Sequence, residues 1–157
     1  MTRDMTHQRV GARSNAHAGR DFEVMARHFF AGQGVALPGS LKVMLGIGMT
    51  KKDHAFDLGC EEQKILVECK SHRWTRGARI PVAKLTVWNE AMYYFSLAPG
   101  EYRKVMFVLR DECRKRGLTL ADYYLRTYAH LVPPDVEFWE CDDTNGTAVC
   151  IRAALTS

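Results

Sequence analysis

The chain has 157 residues, 25% of them charged, and a net charge of +4; that is an ordinary globular composition, and too short for two well-packed cores. No apolar run approaches the ~20 residues a membrane helix needs, and residues 1–9 lack the apolar centre of a signal peptide, so a cytoplasmic protein with no membrane partner is expected. Cys60, Cys69, Cys113, Cys141 and Cys150 form no C-x-x-C pair and meet no histidine at finger spacing. Free thiols are therefore expected, with no disulfide framework and no structural zinc.

Residues 1–15 read as a flexible leader and 16–157 as a single domain. Over 16–30, Phe22, Met25, Ala26, Phe29 and Phe30 recur at i, i+3, i+4, i+7 and i+8, the spacing of a helix with one buried stripe. Ser14 or Asn15 is placed to cap it, and Gly32 and Gly34 to end it. At ~100° per residue Glu23 falls at the rim of that stripe.

A strand is expected over 41–47, then a second over 54–60. In the second, Phe56, Leu58 and Cys60 alternate with Ala55, Asp57 and Gly59. Glu61-Glu62-Gln63 reads as a hairpin turn. The return strand, 65–70, puts Ile65, Val67 and Cys69 on one face and Leu66, Glu68 and Lys70 on the other. With the apolar sets of both runs placed together, alternation gathers Asp57, Glu68 and Lys70 on one side of the sheet.

A second helix starts near Pro81, a residue favoured in a first turn, and runs through Leu85, Trp88, Met92 and Phe95 until Pro99-Gly100 stops it. Residues 104–109 form a nearly continuous apolar strand, as expected for one buried on both faces. Thr119 and Asp122 open a third helix that continues through Tyr124, Leu125, Tyr128 and Leu131 to Pro133-Pro134. Residues 136–141 and 148–153 read as two more strands, the latter an edge strand following the Asn145-Gly146 turn. The order αβββαβ followed by αβ implies a mixed sheet flanked by helices, an α/β architecture.

Charged side chains seldom sit among aliphatic neighbours unless they are paired, bind metal or line a cleft. Glu-x-Lys alone is poor evidence, since chance produces it on the order of once per two chains of this size. Two readings stand for the trio: a solvated hairpin face with ion pairs each contributing ~0.2–1 kcal/mol, or a site for a cation. Two close carboxylates in a dry site need a cation to stay ionised, and a hard divalent ion with oxygen ligands suits them. Arg73, Arg76, Arg79 and Lys84 follow the trio and fit either a solvated loop or a surface that contacts phosphates. Trp74 among them has the chemistry to stack on a base or to pack at the rim.

With an acid on the second strand, Glu68-Cys69-Lys70 on the third and Glu23 on the first helix, the chain resembles the PD-(D/E)XK nuclease superfamily, the restriction-endonuclease-like fold. The Gly19-Arg20-Asp21-Phe22-Glu23 segment also resembles the archaeal Holliday-junction-resolvase branch. The likeness covers residues 16–109; Phe56 stands where the family name has proline, and no stretch is long enough for a separate target-recognition domain.

The resemblance implies a metal-dependent endonuclease hydrolysing DNA with Mg²⁺, or Mn²⁺ in its place, in restriction, repair or junction resolution. Asp57, Glu68 and the Cys69 backbone carbonyl would ligate the ion, with Glu23 as an additional ligand. Lys70 would orient or help deprotonate the attacking water and stabilise developing charge. Arg73, Arg76, Arg79 and Lys84 would contact the nucleic acid, and a homodimer would bring two sites to two strands. The competing expectation is a nucleic-acid-binding or assembly module that keeps this fold without cutting.

Overall fold

The computed structural model describes the backbone of residues 6–155 and the side chains from residue 17. One six-stranded sheet organises the chain, in the order β1-β2-β3-β4-β7-β8. The strands are β1 (Gly39–Leu45), β2 (Lys52–Cys60), β3 (Ile65–Lys70), β4 (Arg103–Leu109), β7 (Val136–Cys141) and β8 (Ala148–Arg152). A separate two-residue hairpin, β5 (Glu112–Cys113) with β6 (Leu118–Thr119), was not anticipated from the sequence. The pairs β3–β4 and β4–β7 are parallel, and β1–β2, β2–β3 and β7–β8 antiparallel. The architecture is thus mixed α/β, with the helices α1 (Thr6–Gly32), α2 (Val82–Leu97) and α3 (Leu120–Thr127).

Strand β4 shows why both faces are covered. Val105, Phe107 and Leu109 point into one apolar cluster with Phe22, Ala26 and Phe30 of α1. Met106 and Val108 point into the other, with Leu85, Trp88, Met92 and Phe95 of α2 and Tyr124 of α3. Phe107 meets Phe22 at 5.3 Å and Phe30 at 5.7 Å between ring centroids, and each such large side chain contributes ~1.5–3 kcal/mol when fully buried. Among the described residues no helix is long and apolar enough to cross a membrane.

Several boundaries differ from the sequence reading. Helix α1 begins at Thr6, so Ser14 and Asn15 lie within it and do not cap it. No proline interrupts residues 6–32, and Ser or Asn inside a helix costs only tenths of a kcal/mol. Of the leader expected over 1–15, residues 1–5 lie outside the described residues. Helix α3 ends at Thr127 and gives way to a tighter turn over Ala129–Leu131, where the helical reading had continued to Pro133. Pro81 sits at the N-terminal boundary of α2, and Thr119 caps α3 by accepting the Asp122 N–H at 3.1 Å.

The consequential difference is in β2. Gly39 pairs with Gly59 but Leu41 with Phe56, so two steps along β1 answer three along β2. The extra residue is a β-bulge, and it reverses the alternation. Phe56 packs in the α2 cluster while Leu58 packs in the α1 cluster, correcting the expectation that the two share a face.

Gly59 follows from the same crowding. A Cβ there would stand 2.7 Å from the Leu41 Cβ and 3.0 Å from the Ile65 carbonyl oxygen. Gly59→Ala should therefore destabilise the protein by about 1–3 kcal/mol through overpacking, read as a lower urea midpoint with an unchanged slope. A neutral Gly59→Ala variant would mean that β1 and β2 are not this close.

Candidate functional site

Pairing between β2 and β3 runs only from Cys60↔Ile65 to Leu58↔Val67. Beyond it, the bulge turns the Asp57 side chain toward β3. Its Oδ2 accepts the Cys69 N–H at 2.8 Å, taking the place of a strand carbonyl. Asp57 is thus fixed by the backbone of the Glu68-Cys69-Lys70 segment and not by simple alternation.

Glu68 projects from β3 into the sheet interior, 5% exposed. Its Oε2 lies 3.3 Å from Lys70 Nζ and its Oε1 3.5 Å from His54 Nε2. Burial, then the Asp57 charge, pushes the Glu68 carboxyl up to about 8; Lys70 pulls the other way, and a hydrogen bond shared with Asp57 favours the proton on Glu68. Glu68 therefore keeps its proton at neutral pH. His54 stacks on Tyr94 of α2 at 3.6 Å and meets Phe56 edge-on. Burial lowers its pKa, and its Nε2 is a buried nitrogen without a hydrogen-bond partner. The imidazole closes off the inner side of Glu68.

A cleft of about 680 Å³ opens in front of this group, lined by Gly19, Phe22 and Glu23 of α1, by Asp57, by Cys69 to Arg73, and by Pro81, Lys84 and Val87 at the start of α2. Glu23 is half-buried; burial raises its pKa, Asp57 adds to the rise and Lys70 opposes it. Those mutual influences bring the first helix and the two strands to one place. The Cys69 thiol is pushed well up by burial, with Asp57, Glu23 and Glu68 adding to it. It stays a thiol packed toward α1, which leaves only its backbone for polar work.

The basic loop is divided. Lys84 and Arg73 line the cleft, but the Arg73 guanidinium is held by Asp111 at 3.3 Å and Asp143 at 2.8 Å. Arg76 and Arg79 are exposed on the turn beside Arg76–Ala78, outside the cleft lining. Trp74 is a packing residue: its indole donates to the Asp111 carbonyl at 3.1 Å, Tyr123 meets it edge-on and Arg116 covers its ring.

His72 belongs to the site as well. It lines the cleft, and its Nδ1 accepts the Trp88 indole N–H at 2.8 Å. The signal was available, since Trp88 belongs to the apolar stripe of α2 and a buried indole needs an acceptor. A larger pocket of about 840 Å³ between α1 and β1–β2 is lined by Arg27, Leu37, Leu41 and Glu61 among others, and contains none of the acids expected from the sequence.

Among the described residues no three His, Cys, Asp or Glu side chains converge as a metal cage. A hard ion that keeps most of its water needs only one or two carboxylates, and Asp57 with Glu68 offers that donor set. Burial first, and the Asp57 charge after it, keep the proton on Glu68; oxygen donors so placed are compatible with a hard divalent ion. Compared with family models, curated proteins and solved structures, the chain finds no match.

The Glu68 proton has a measurable cost. Its pKa in the folded protein, about 8, lies above the ordinary glutamate value of 4.5, so the folded state keeps a proton that the unfolded chain releases between those values. The stability this contributes is fully present below pH 4.5 and is lost as pH rises through about 8. In EDTA, urea midpoints should fall across that window. Glu68→Gln, which removes the titrating group, should flatten the fall and be more stable than the parent by about 1–3 kcal/mol at pH 8. An equally steep fall in Glu68→Gln would assign the pH dependence to another group.

Proposed function

We propose that the chain is a metal-dependent nuclease of the restriction-endonuclease-like kind, hydrolysing phosphodiester bonds of DNA in restriction, repair or junction resolution. The observation that carries this reading is the apposition of Asp57 and Glu68 with the Lys70 ammonium 3.3 Å from Glu68, beside a cleft that also takes Glu23 and Lys84. The antiparallel β1-β2-β3 meander, followed by α2 and a β4 that runs parallel to β3, is compatible with the fold that the sequence resemblance implies.

On this reading Asp57, Glu68 and the Cys69 carbonyl hold Mg²⁺, with Glu23 near enough to add a ligand. When bound, the ion makes a water more acidic and stabilises negative charge on the phosphate oxygens. The chain's own groups do the rest. Asp57 is held in one rotamer by the Cys69 N–H, so its free oxygen points in a fixed direction. The Lys70 ammonium, half-buried at the end of β3, orients the attacking water and balances charge as the phosphorus is attacked. His54 and Tyr94 wall the rear of Glu68 and exclude solvent from it. Lys84 faces the cleft as a cation for the phosphodiester backbone. A homodimer, with two such clefts acting on two strands, belongs to the same proposal.

The test is a cleavage panel: plasmid, linear, branched and single-stranded DNA, and RNA, each with Mg²⁺, Mn²⁺ or EDTA. The wild type should cut DNA with either metal and not in EDTA. Asp57→Ala and Lys70→Ala should each lose about 10²-fold or more in rate; Lys70→Ala should melt near the parent temperature, and Asp57→Ala, which unpairs the Cys69 N–H, a few degrees lower. Binding without cleavage by the wild type would favour the non-cutting module, and cleavage by both variants at the parental rate would remove the chemistry from this site.

A further inference from the structure

His72 lies just beyond the end of β3 and lines the same cleft as Lys70 and Lys84. Its ring is fixed from the interior, where Trp88 Nε1–H donates to Nδ1 at 2.8 Å and the two rings lie nearly parallel, 6.3 Å apart. An indole nitrogen only donates, so Nδ1 must be the bare nitrogen, and the one proton of the imidazole sits on Nε2. Trp88 is fully buried against Tyr124 and cannot turn away. Burial, then the charges of Lys84 and Lys70, pushes the His72 pKa down to about 4, and this keeps Nδ1 bare at neutral pH. Among the described residues nothing accepts the Nε2 proton. Among the described residues the one buried side-chain nitrogen or oxygen without a partner is His54 Nε2, so Nε2 of His72, which lines the cleft, is not buried.

Resting on the nuclease reading, we propose that His72 Nε2–H donates a hydrogen bond to a non-bridging phosphate oxygen of the nucleic acid in this cleft. Trp88 is the positioning residue that decides which nitrogen carries the proton. The donor adds no charge, and it stays oriented without the substrate, because the interior holds the ring from its other side. A preorganised donor of this kind has its greatest effect where negative charge grows during reaction, on the phosphate oxygens. Lys84 and Lys70, flanking it, supply the attraction that brings the phosphate in.

The experiment compares His72→Ala, His72→Gln, Trp88→Phe and the His72→Ala/Trp88→Phe pair on plasmid DNA, or on branched duplex if the wild type prefers it, measuring kcat, KM and melting temperature with Mg²⁺. His72→Ala should lose about 10²-fold in kcat with KM within about threefold, and should melt a few degrees below the parent because the buried Trp88 indole loses its acceptor. His72→Gln, which restores an N–H donor, should recover to within about tenfold of the wild type. Trp88→Phe frees Nδ1 to take the proton and should cost less than His72→Ala, and the pair should be no worse than His72→Ala alone. The assignment fails if His72→Ala stays within about threefold of the wild type, or if His72→Gln is no better than alanine. Either result leaves the nuclease reading standing when the wild type cuts. A wild type that cuts no nucleic acid removes both.

Discussion

The hydrogen bond from the Cys69 N–H to Asp57 is the contact on which the rest of the site depends. Strand β2 pairs with β3 only over Leu58 to Cys60, and the N–H of Cys69, beyond the last paired residue Val67, needs an acceptor that a strand carbonyl does not supply. Leaving it unpaired would cost about 1–3 kcal/mol. The bulge meets that need with a side chain: by inserting one residue it aims Asp57 across the gap. The same bond sets Asp57 beside Glu68, because the acceptor is bound to the residue next in sequence. A structural requirement of the sheet thereby produces a pair of carboxylates.

That pair is held against the interest of stability. Glu68 is almost wholly buried, with a carboxylate neighbour that opposes its ionisation, and the single cation within reach, Lys70, compensates only in part. An apolar residue at 68 would pack between Leu66 and the α2 cluster at lower cost. Elsewhere the chain places its buried charges well: Lys104, also inside the sheet, is satisfied by Asp135 at 2.7 Å and by the Ala98 carbonyl at 3.0 Å. Against that background Glu68 stands out as a buried carboxyl with incomplete compensation, and such groups cluster at functional sites.

Periodicity made most of the architecture legible. Strand β3 begins and ends at the residues expected, as does β7, because each is a short apolar run between strong turn signals. Phe22, Ala26 and Phe30 announced the inner face of α1 by spacing alone. The bulge in β2 was not legible: alternation assumes one residue per step, and the extra step shows only when the β1 partner is known. His72 was half legible: the buried Trp88 indole announces the need for an acceptor, but not which side chain meets it. Its role depends on Trp88 sixteen residues later, across a loop whose path no local pattern gives. The arginines misled in the opposite direction. A run of like charges reads as a free surface, but Asp111 and Asp143, distant in sequence, fold back onto Arg73.

The charge balance at the cleft ties these pieces together. Glu23 and Asp57 line the cleft together with Lys70, Lys84 and Arg73, and Glu68 lies buried behind them. With Glu68 holding its proton and Arg73 already engaged by two acids, two carboxylates face two lysines, and a phosphodiester entering so even a field gains little. Two things can tip it: protons on the acids, of which Glu68 already holds one, or a divalent cation between them. On the nuclease reading the cation would do more, because it would replace the proton, let both carboxylates ionise, and leave Lys70, Lys84 and the His72 N–H for the phosphate. On the nuclease reading, the ion that activates the water is also the ion that makes the cleft hospitable to its substrate, so nucleic-acid binding and catalysis draw on the same two carboxylates.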